Sequence, residues 1–273
     1  MEARDKVWVV TGGGSGIGEQ LVLQLLERGA RVAAVDRNAA GLEETARIAL
    51  AGERLSSHVV DITDRVAVEA LVGEVVAAHG TVDGLINNAG IIQPFVNFSE
   101  LSYEDINRLL QVNLMGTIYM VKSFLPTLLG RPEAHIANVS SMGGFFPFPM
   151  QTMYGATKAG VKLLTEGLYA ELLDTPVQVS VIMPGPVETA ISANSGVLAP
   201  GGAEAGTKMP IMSPSDAARD ALNGIEQNRL HIYLGPIARL SNIAIRVAPR
   251  KAIVFVRNQM NKMMSQEAPA RSG

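Results

Sequence analysis

The sequence predicts a doubly wound α/β fold, in which a seven-stranded parallel sheet is covered by helices on both faces. Three observations point there. Short runs rich in β-branched residues alternate with longer segments of helical period. Those runs are almost continuously apolar, as in Val7-Trp-Val-Val10 and Val32-Ala-Ala-Val35, which suits strands buried on both faces. The 273 residues are 47% hydrophobic and 18% charged, enough apolar content for one large core. A single domain is expected over residues 1–236, followed by a basic amphipathic extension at 237–273.

The first strand, near 6–11, runs into Thr11-Gly-Gly-Gly-Ser-Gly-Ile-Gly18, which opens a helix near 16–29. Glycines there let backbone approach a pyrophosphate, and the helix start offers free N–H groups and a positive dipole end. The spacing is TGxxxGxG, and no GK[ST] follows to make a nucleoside-triphosphate loop. A second strand near 31–36 ends in Asp36, whose carboxylate suits the ribose hydroxyls of adenosine and repels a 2'-phosphate. NAD is therefore favoured, with NADP retained because Arg37 follows directly. A helix near 39–51 leads to a third strand near 57–61 that closes on Asp61, placed either at the adenine edge or as a cap. After a helix near 64–79, the fourth strand, near 82–87, closes on Asn87-Asn88-Ala89-Gly90 beside the nucleotide crevice.

The long helix near 103–129 contains Asn113, an intrinsically unfavourable residue for a helix interior, which something holds in place. A fifth strand near 134–140 delivers Ser141, a donor for a carbonyl or alkoxide oxygen. The next helix, near 152–174, opens with Tyr154-Gly-Ala-Thr-Lys158, which sets phenol and ammonium one turn apart on one face. A nearby ammonium and an oxidised nicotinamide favour phenolate, bringing a tyrosine of ordinary pKa about 10 within reach of base catalysis. The sixth strand, near 177–183, runs into Pro184-Gly-Pro-Val-Glu-Thr189. A Gly-, Ala-, Ser- and Pro-rich lid follows at about 190–213, then a cap at Ser213, a helix near 214–228 and a seventh strand near 230–234.

Taken together in this order, the motifs resemble those of the short-chain dehydrogenase/reductase family in its compact single-domain, Rossmann-fold form, over about residues 5–235. The resemblance implies that Tyr154 is the general acid/base, that Lys158 also binds the nicotinamide ribose, and that Ser141 positions the substrate oxygen. It implies that Asn113 holds a water for a proton relay. The cofactor residues it implies are Gly12, Ser15, Gly16, Ile17, Gly18, Asp36, Arg37, Asp61, Ile62, Asn88, Ala89, Gly90, Tyr154 and Lys158. Pro184, Gly185, Val187 and Thr189 would wrap the nicotinamide. A homodimer or homotetramer through the two long helices is implied as well.

Five of the seven phenylalanines fall in two stretches, Phe95 and Phe98 after strand four, and Phe145, Phe146 and Phe148 after strand five. With Met142 and Met150 they suggest a pocket formed by Phe95, Met142, Phe145, Phe146 and Met150. An apolar secondary alcohol or ketone is expected, of steroid, retinoid, terpenoid or long-chain type. Core or subunit packing is the other use for such side chains. Two alternatives stand beside this function, an NADPH-dependent 3-oxoacyl carrier reductase and a noncatalytic dinucleotide-sensing scaffold. No metal is expected, because His58, His79, His135 and His231 form no ligand motif and there is no cysteine.

Without cysteines or a secretory leader pattern at Met1–Val10, a cytoplasmic protein is expected. The formal charge of -3 is unevenly spread. Residues 237–273 carry seven basic side chains against one acidic, a local +6, so the preceding 236 residues carry -9. That body is a poor general nucleic-acid binder. In the extension, Ile237, Leu240, Ile243, Ala244 and Val247 recur at helical spacing, Pro249 interrupts, and Ile253, Val256, Met260 and Met263 resume. Two short amphipathic helices are expected, packed on their own domain or another subunit more readily than on an anionic membrane.

Overall fold

The computed structural model describes residues 1–189, 191–197 and 211–267, with side chains described as far as Asn261 in the last helix. Most of the expected lid and residues 268–273 lie outside the described residues. The strands are β1 (Val7–Thr11), β2 (Arg31–Asp36), β3 (Leu55–Val59), β4 (Gly84–Asn87), β5 (Ala134–Val139), β6 (Val177–Pro184) and β7 (His231–Leu234). They form one parallel sheet in the order β3-β2-β1-β4-β5-β6-β7. The chain winds outward from β1 to β3, then restarts beside β1 and winds the other way. That reversal opens a crevice beyond the carboxyl ends of β1 and β4.

Strand alternation divides the core between the two faces. Trp8 and Val10 pack with Leu21 and Leu25 of α1 (Gly16–Glu27) and with Leu222 and Ile225 of α8 (Pro214–Glu226). Val7 and Val9 face the other way, with Val68, Leu71 and Val75 of α3 (Arg65–His79) and Met120, Phe124 and Leu128 of α5 (Thr117–Leu129). Short polar caps start several helices. Asn38 accepts from Gly41 N at 3.3 Å before α2 (Ala39–Ala49), and Asp64 accepts from Val66 N at 2.9 Å before α3. Ser213 accepts from Asp216 N at 3.0 Å and caps α8, with Pro214 at the first helical position.

Several boundaries differ from the sequence reading by two or three residues, as at the start of β4 and the end of α6, and two differences have a local reason. A single 3-10 turn at Gly52–Arg54 starts β3 two residues early, and Asp61 lies beyond its end. The Asp61 carboxylate accepts from Thr63 N at 2.9 Å and from the Thr63 hydroxyl at 2.8 Å, a turn that competes with strand pairing. The helical run 103–129 consists of α4 (Tyr103–Leu109), a π-helical turn (Leu110–Gly116) and α5. By length and composition this run of 27 residues could cross a bilayer, but Met120, Phe124 and Leu128 are fully buried against the sheet.

Beyond β7, the expected pair of helices is present as α9 (Gly235–Val247) and α10 (Pro249–Glu267), broken at Pro249. The remaining described helices are α6 (Thr152–Glu171) and the short α7 (Ile191–Asn194).

Gly84 faces the Trp8 ring so closely that a Cβ would overlap its Cε3 and Cδ2 atoms. Gly84→Ala is expected to destabilise the fold by about 1–3 kcal/mol through overpacking. Trp8→Leu in the same chain should recover part of that loss, a non-additivity readable by urea denaturation of the two single variants and the double.

Candidate active site at the carboxyl ends of the strands

A cavity of about 590 Å³ lies in the crevice beyond the strand ends. One half is lined by Gly12, Ser15, Gly16, Ile17, Asp36, Arg37, Asp61, Ile62, Asn88, Ala89 and Gly90. The other half is lined by Ser141, Tyr154, Lys158, Pro184, Gly185, Val187 and Thr189. Gly18 and Asn113 stand behind these surfaces, buried, and support them.

The glycine turn is built so that backbone alone faces the first half. Gly12 and Gly16 have φ of 70° and 56°, a region costly for other residues. A Cβ on Gly12 would come within 2.8 Å of Asn88 Nδ2, and one on Gly18 would overlap the Gly12 carbonyl oxygen. Ser15, at the N-cap of α1, makes no capping hydrogen bond, which leaves the first N–H groups of the helix without a side-chain acceptor. Asp36 accepts from Gly14 N at 3.1 Å and Asn38 N at 2.9 Å, so two of about four acceptor positions remain for a diol. This glycine cradle and carboxylate fit the adenosine and pyrophosphate portions of a dinucleotide. Arg37 is exposed on the same rim.

Thr11 fastens this half to the next. Its hydroxyl accepts from Asn88 N and Ala89 N, both at 3.0 Å, while Asn88 Nδ2 donates to the Thr11 carbonyl at 3.1 Å. Behind them Asn87 Nδ2 donates to Asn138 Oδ1 at 2.8 Å, and Asn138 passes a hydrogen bond to Thr165 of α6 at 3.0 Å.

At the reacting end the side chains converge from four segments. Lys158 is buried and donates to the Val139 carbonyl at 2.9 Å, while Ser140 Oγ donates to the Lys158 carbonyl at 2.7 Å. Burial pushes the Lys158 ammonium down to about 8. Burial also raises the Tyr154 phenol above its ordinary value, and a hydrogen bond with Ser141 opposes that rise. Burial thus opposes the phenolate that the ammonium and an oxidised nicotinamide together are expected to favour. A Cβ on Gly90 would touch both Lys158 Nζ at 3.0 Å and Asn113 Oδ1 at 3.2 Å, so only glycine leaves room where these groups meet.

Asn113 is held by distant partners. Its Oδ1 accepts from Ile91 N at 2.8 Å, and its Nδ2 donates to the Ile91 carbonyl at 3.0 Å and to Thr157 Oγ1 at 3.1 Å. It sits in the π-helical turn, a distortion that recurs at functional positions.

The expected substrate residues are placed elsewhere. Met142, Phe145 and Phe146 belong to an apolar cluster with Ala238, Ile237, Ile245, Ala252 and Val256 of α9 and α10, and the Phe145 ring meets Tyr233 edge-on at 5.7 Å. Phe95 is half-buried and Met150 buried, and none of the five lines the cavity. Apolar lining near the reacting groups comes instead from Ile91, Ile92, Val139, Val187 and Ile191. The described start of the lid is fastened: Asn194 Nδ2 donates to Ser15 Oγ at 3.0 Å, and Ile92 N donates to the buried Ser195 hydroxyl at 3.0 Å. Met212, near the lid's far end, pairs with Val187 just before the lid.

Gln93 was missed in the sequence reading. This buried residue accepts from Met153 N at 2.9 Å and Tyr154 N at 3.0 Å through Oε1, capping α6 from a different segment. Its Nε2 donates to the carbonyl of Met150 at 2.8 Å, and Met150 has a φ of 60°. Gln151, the residue at the N-cap itself, forms no capping bond. The only sequence hint is a polar residue in the otherwise apolar Ile91-Ile-Gln-Pro-Phe-Val96.

Two outcomes are expected. Gln93→Leu leaves two helix N–H groups without an acceptor, at about 1–3 kcal/mol, and should lower kcat at least tenfold while dinucleotide affinity, read by fluorescence titration, changes less than twofold. Lys158→Met should raise unfolding stability at pH 7 by about 1–3 kcal/mol, because a desolvated cation is removed. Below pH 8 the lysine is charged in both folded and unfolded chains, and its burial cost is fully present. Between 8 and its ordinary 10.5 the folded chain releases the proton first, so stability rises with pH and the advantage of Lys158→Met fades. Denaturant titrations across that range measure it.

With this geometry in view, comparison with known proteins is specific. The family model for short chain dehydrogenase matches residues 6–197. The oxidoreductase SadH of Mycobacterium tuberculosis is 35% identical over 252 residues, covering 89% of this chain and 90% of that protein. A Burkholderia cenocepacia short chain dehydrogenase, solved with NADP, superposes with a TM-score of 0.78 at 28% identity, covering 94% of this chain and 99% of that one. A 3-ketoacyl-(acyl-carrier-protein) reductase from Brucella melitensis, solved with NADH, does so with a TM-score of 0.75 at 28% identity, covering 85% and 98%. The chain belongs to the short-chain dehydrogenase/reductase family of NAD(P)-linked oxidoreductases.

Proposed function

We propose that the chain interconverts an apolar secondary alcohol and its ketone, with NAD as the favoured partner and Tyr154 as the general acid/base. The observation that carries this reading is the convergence of Ser141, Tyr154 and Lys158 in the cavity half opposite Asp36. A bound nicotinamide supplies or removes the hydride. In oxidation the Tyr154 oxygen takes the hydroxyl proton, and in reduction it returns one to the carbonyl oxygen. Ser141 Oγ accepts from Gly143 N at 3.0 Å and is hydrogen-bonded with Tyr154, which puts its hydroxyl beside the phenol where it can turn to donate to the reacting oxygen. Lys158 keeps two N–H donors beyond the one given to Val139, available to ribose hydroxyls. The Asn113 relay is supported by the nearness of both its Oδ1 and Lys158 Nζ to the open side of Gly90.

The apolar substrate class now rests on Ile91, Ile92, Val139, Val187 and Ile191, not on the phenylalanines. Asp36 supports NAD, and Arg37 on the same rim keeps NADP in view. A 3-oxoacyl carrier reductase is the second reading, supported by the likeness to the Brucella 3-ketoacyl-(acyl-carrier-protein) reductase, which was solved with NADH. The proposal includes a cytoplasmic homodimer or homotetramer. Tyr103 and Leu163, 81% and 71% exposed on the two long helical runs, support the assembly.

Cofactor absorbance during incubation with apolar secondary alcohols, and with acetoacetyl thioesters in the reverse direction, separates the two readings. Turnover of the alcohols with NAD at a kcat/KM at least tenfold above NADP is the expected result. Tyr154→Phe should lower kcat by at least a thousandfold with unchanged NAD affinity; near-normal turnover would remove Tyr154 from the mechanism.

A further inference from the structure

The last two helices carry an apolar surface that the fold does not use. On α9, Ala238 is fully buried and Ile237 and Ile245 pack with it against Met142 and Phe146, so one side of the helix faces the body of the protein. The opposite side carries Leu240, Ile243 and Val247, spaced three and four residues apart and 66%, 59% and 79% exposed. Val254 and Phe255 of α10 are also more than half exposed. The helical stripe foreseen from spacing is thus split, with Ile237 packed inward and Leu240, Ile243 and Val247 pointing away from the core.

The charges beside this stripe have one sign. Arg239 and Arg246 lie along its edge on α9, and Arg250, Lys251 and Arg257 follow on α10, all exposed. None of the five forms an ion pair among the described residues. No aspartate or glutamate occurs between Glu226 and Glu267. A second copy docked through the same patch would set these cations against their own counterparts, because a two-fold contact is made by identical surfaces. An apolar face edged by arginine suits a layer with anionic headgroups above hydrocarbon.

We propose that α9 and α10 form a peripheral docking surface for anionic phospholipid membranes, with Leu240, Ile243 and Val247 entering the interface and the adjacent arginines meeting headgroup phosphates. The helix that carries this surface adjoins the cavity through its buried face. Gly185, which lines the cavity, donates to the carbonyl of Leu234 at 3.0 Å, one residue before α9 begins, and a Cβ on it would touch Ala238. Docking would therefore hold the reacting end of the cavity near the bilayer.

The test is cosedimentation of the full chain with phosphatidylcholine vesicles, with and without phosphatidylglycerol, at low and high salt. Binding is expected only with phosphatidylglycerol and should weaken as salt rises. The triple replacement Leu240→Ser, Ile243→Ser, Val247→Ser should reduce it at least tenfold. Each of Arg239→Gln, Arg246→Gln and Arg250→Gln should weaken it about fivefold, and these surface changes leave the packed face of α9 untouched. Circular dichroism and dinucleotide binding report whether each variant is folded. The proposal is overturned if the parent chain ignores phosphatidylglycerol vesicles, or if folded variants bind them as the parent does. It is equally overturned if light scattering shows the triple variant dissociating an oligomer in a chain that binds no vesicles, which would assign the patch to a second copy.

Discussion

Everything at the reacting end depends on how α6 is tied to the end of β5. Beside the Asn138–Thr165 bond, two hydrogen bonds at Lys158 do this: its ammonium donates to Val139, and its carbonyl accepts from Ser140. Gly144 has no side chain because a Cβ would fall 2.8 Å from the Lys158 backbone. The same lysine that fixes the helix is held in a desolvated place, which lowers its proton affinity and makes it a cost to stability as well as a tool. Retaining a buried cation at such a junction is the kind of local expense found where chemistry requires a particular charge.

The helix start is governed by a second constraint from outside the helix. Gln93 belongs to the segment after β4, yet it caps α6 and holds Met150 in its left-handed conformation. The backbone of Ile91, two residues earlier, holds Asn113. One stretch of chain thus sets the position of Tyr154 from one side and of Asn113 from the other. Since Thr11 fixes Asn88 and Ala89 just before it, the cradle next to α1 and the tyrosine helix are joined through a few residues. The arrangement couples cofactor placement to acid/base geometry, where displacements of about an ångström matter.

The phenylalanines show how far composition can carry a substrate argument. Phe145 and Phe146 follow β5 close to the active site, as expected, but α9 and α10 cover them, and their apolar area is spent on holding those helices. The cavity wall is left to aliphatic residues from several loops. In turn, docking α9 through Ala238, Ile237 and Ile245 obliges Leu240, Ile243 and Val247 to face outward.

Local regularities in the sequence were sufficient for the layered sheet, the glycine turn, the strand-ending Asp36 and the single-turn separation of Tyr154 and Lys158. Each of these follows from backbone period or from the steric freedom of glycine, which neighbours in the chain express without help. Strand limits at β3 and the π-helical turn around Asn113 were less legible, because an Asp61 side chain and contacts from Ile91 and Thr157 compete with the regular ladder there. Only the tertiary structure decided that Gln93 caps α6, that Phe145 and Phe146 leave the cavity, that burial raises the Tyr154 phenol, and which side of α9 faces solvent. Periodicity states which residues share a face; what packs against that face, and how much water is removed from it, depends on segments far away in sequence.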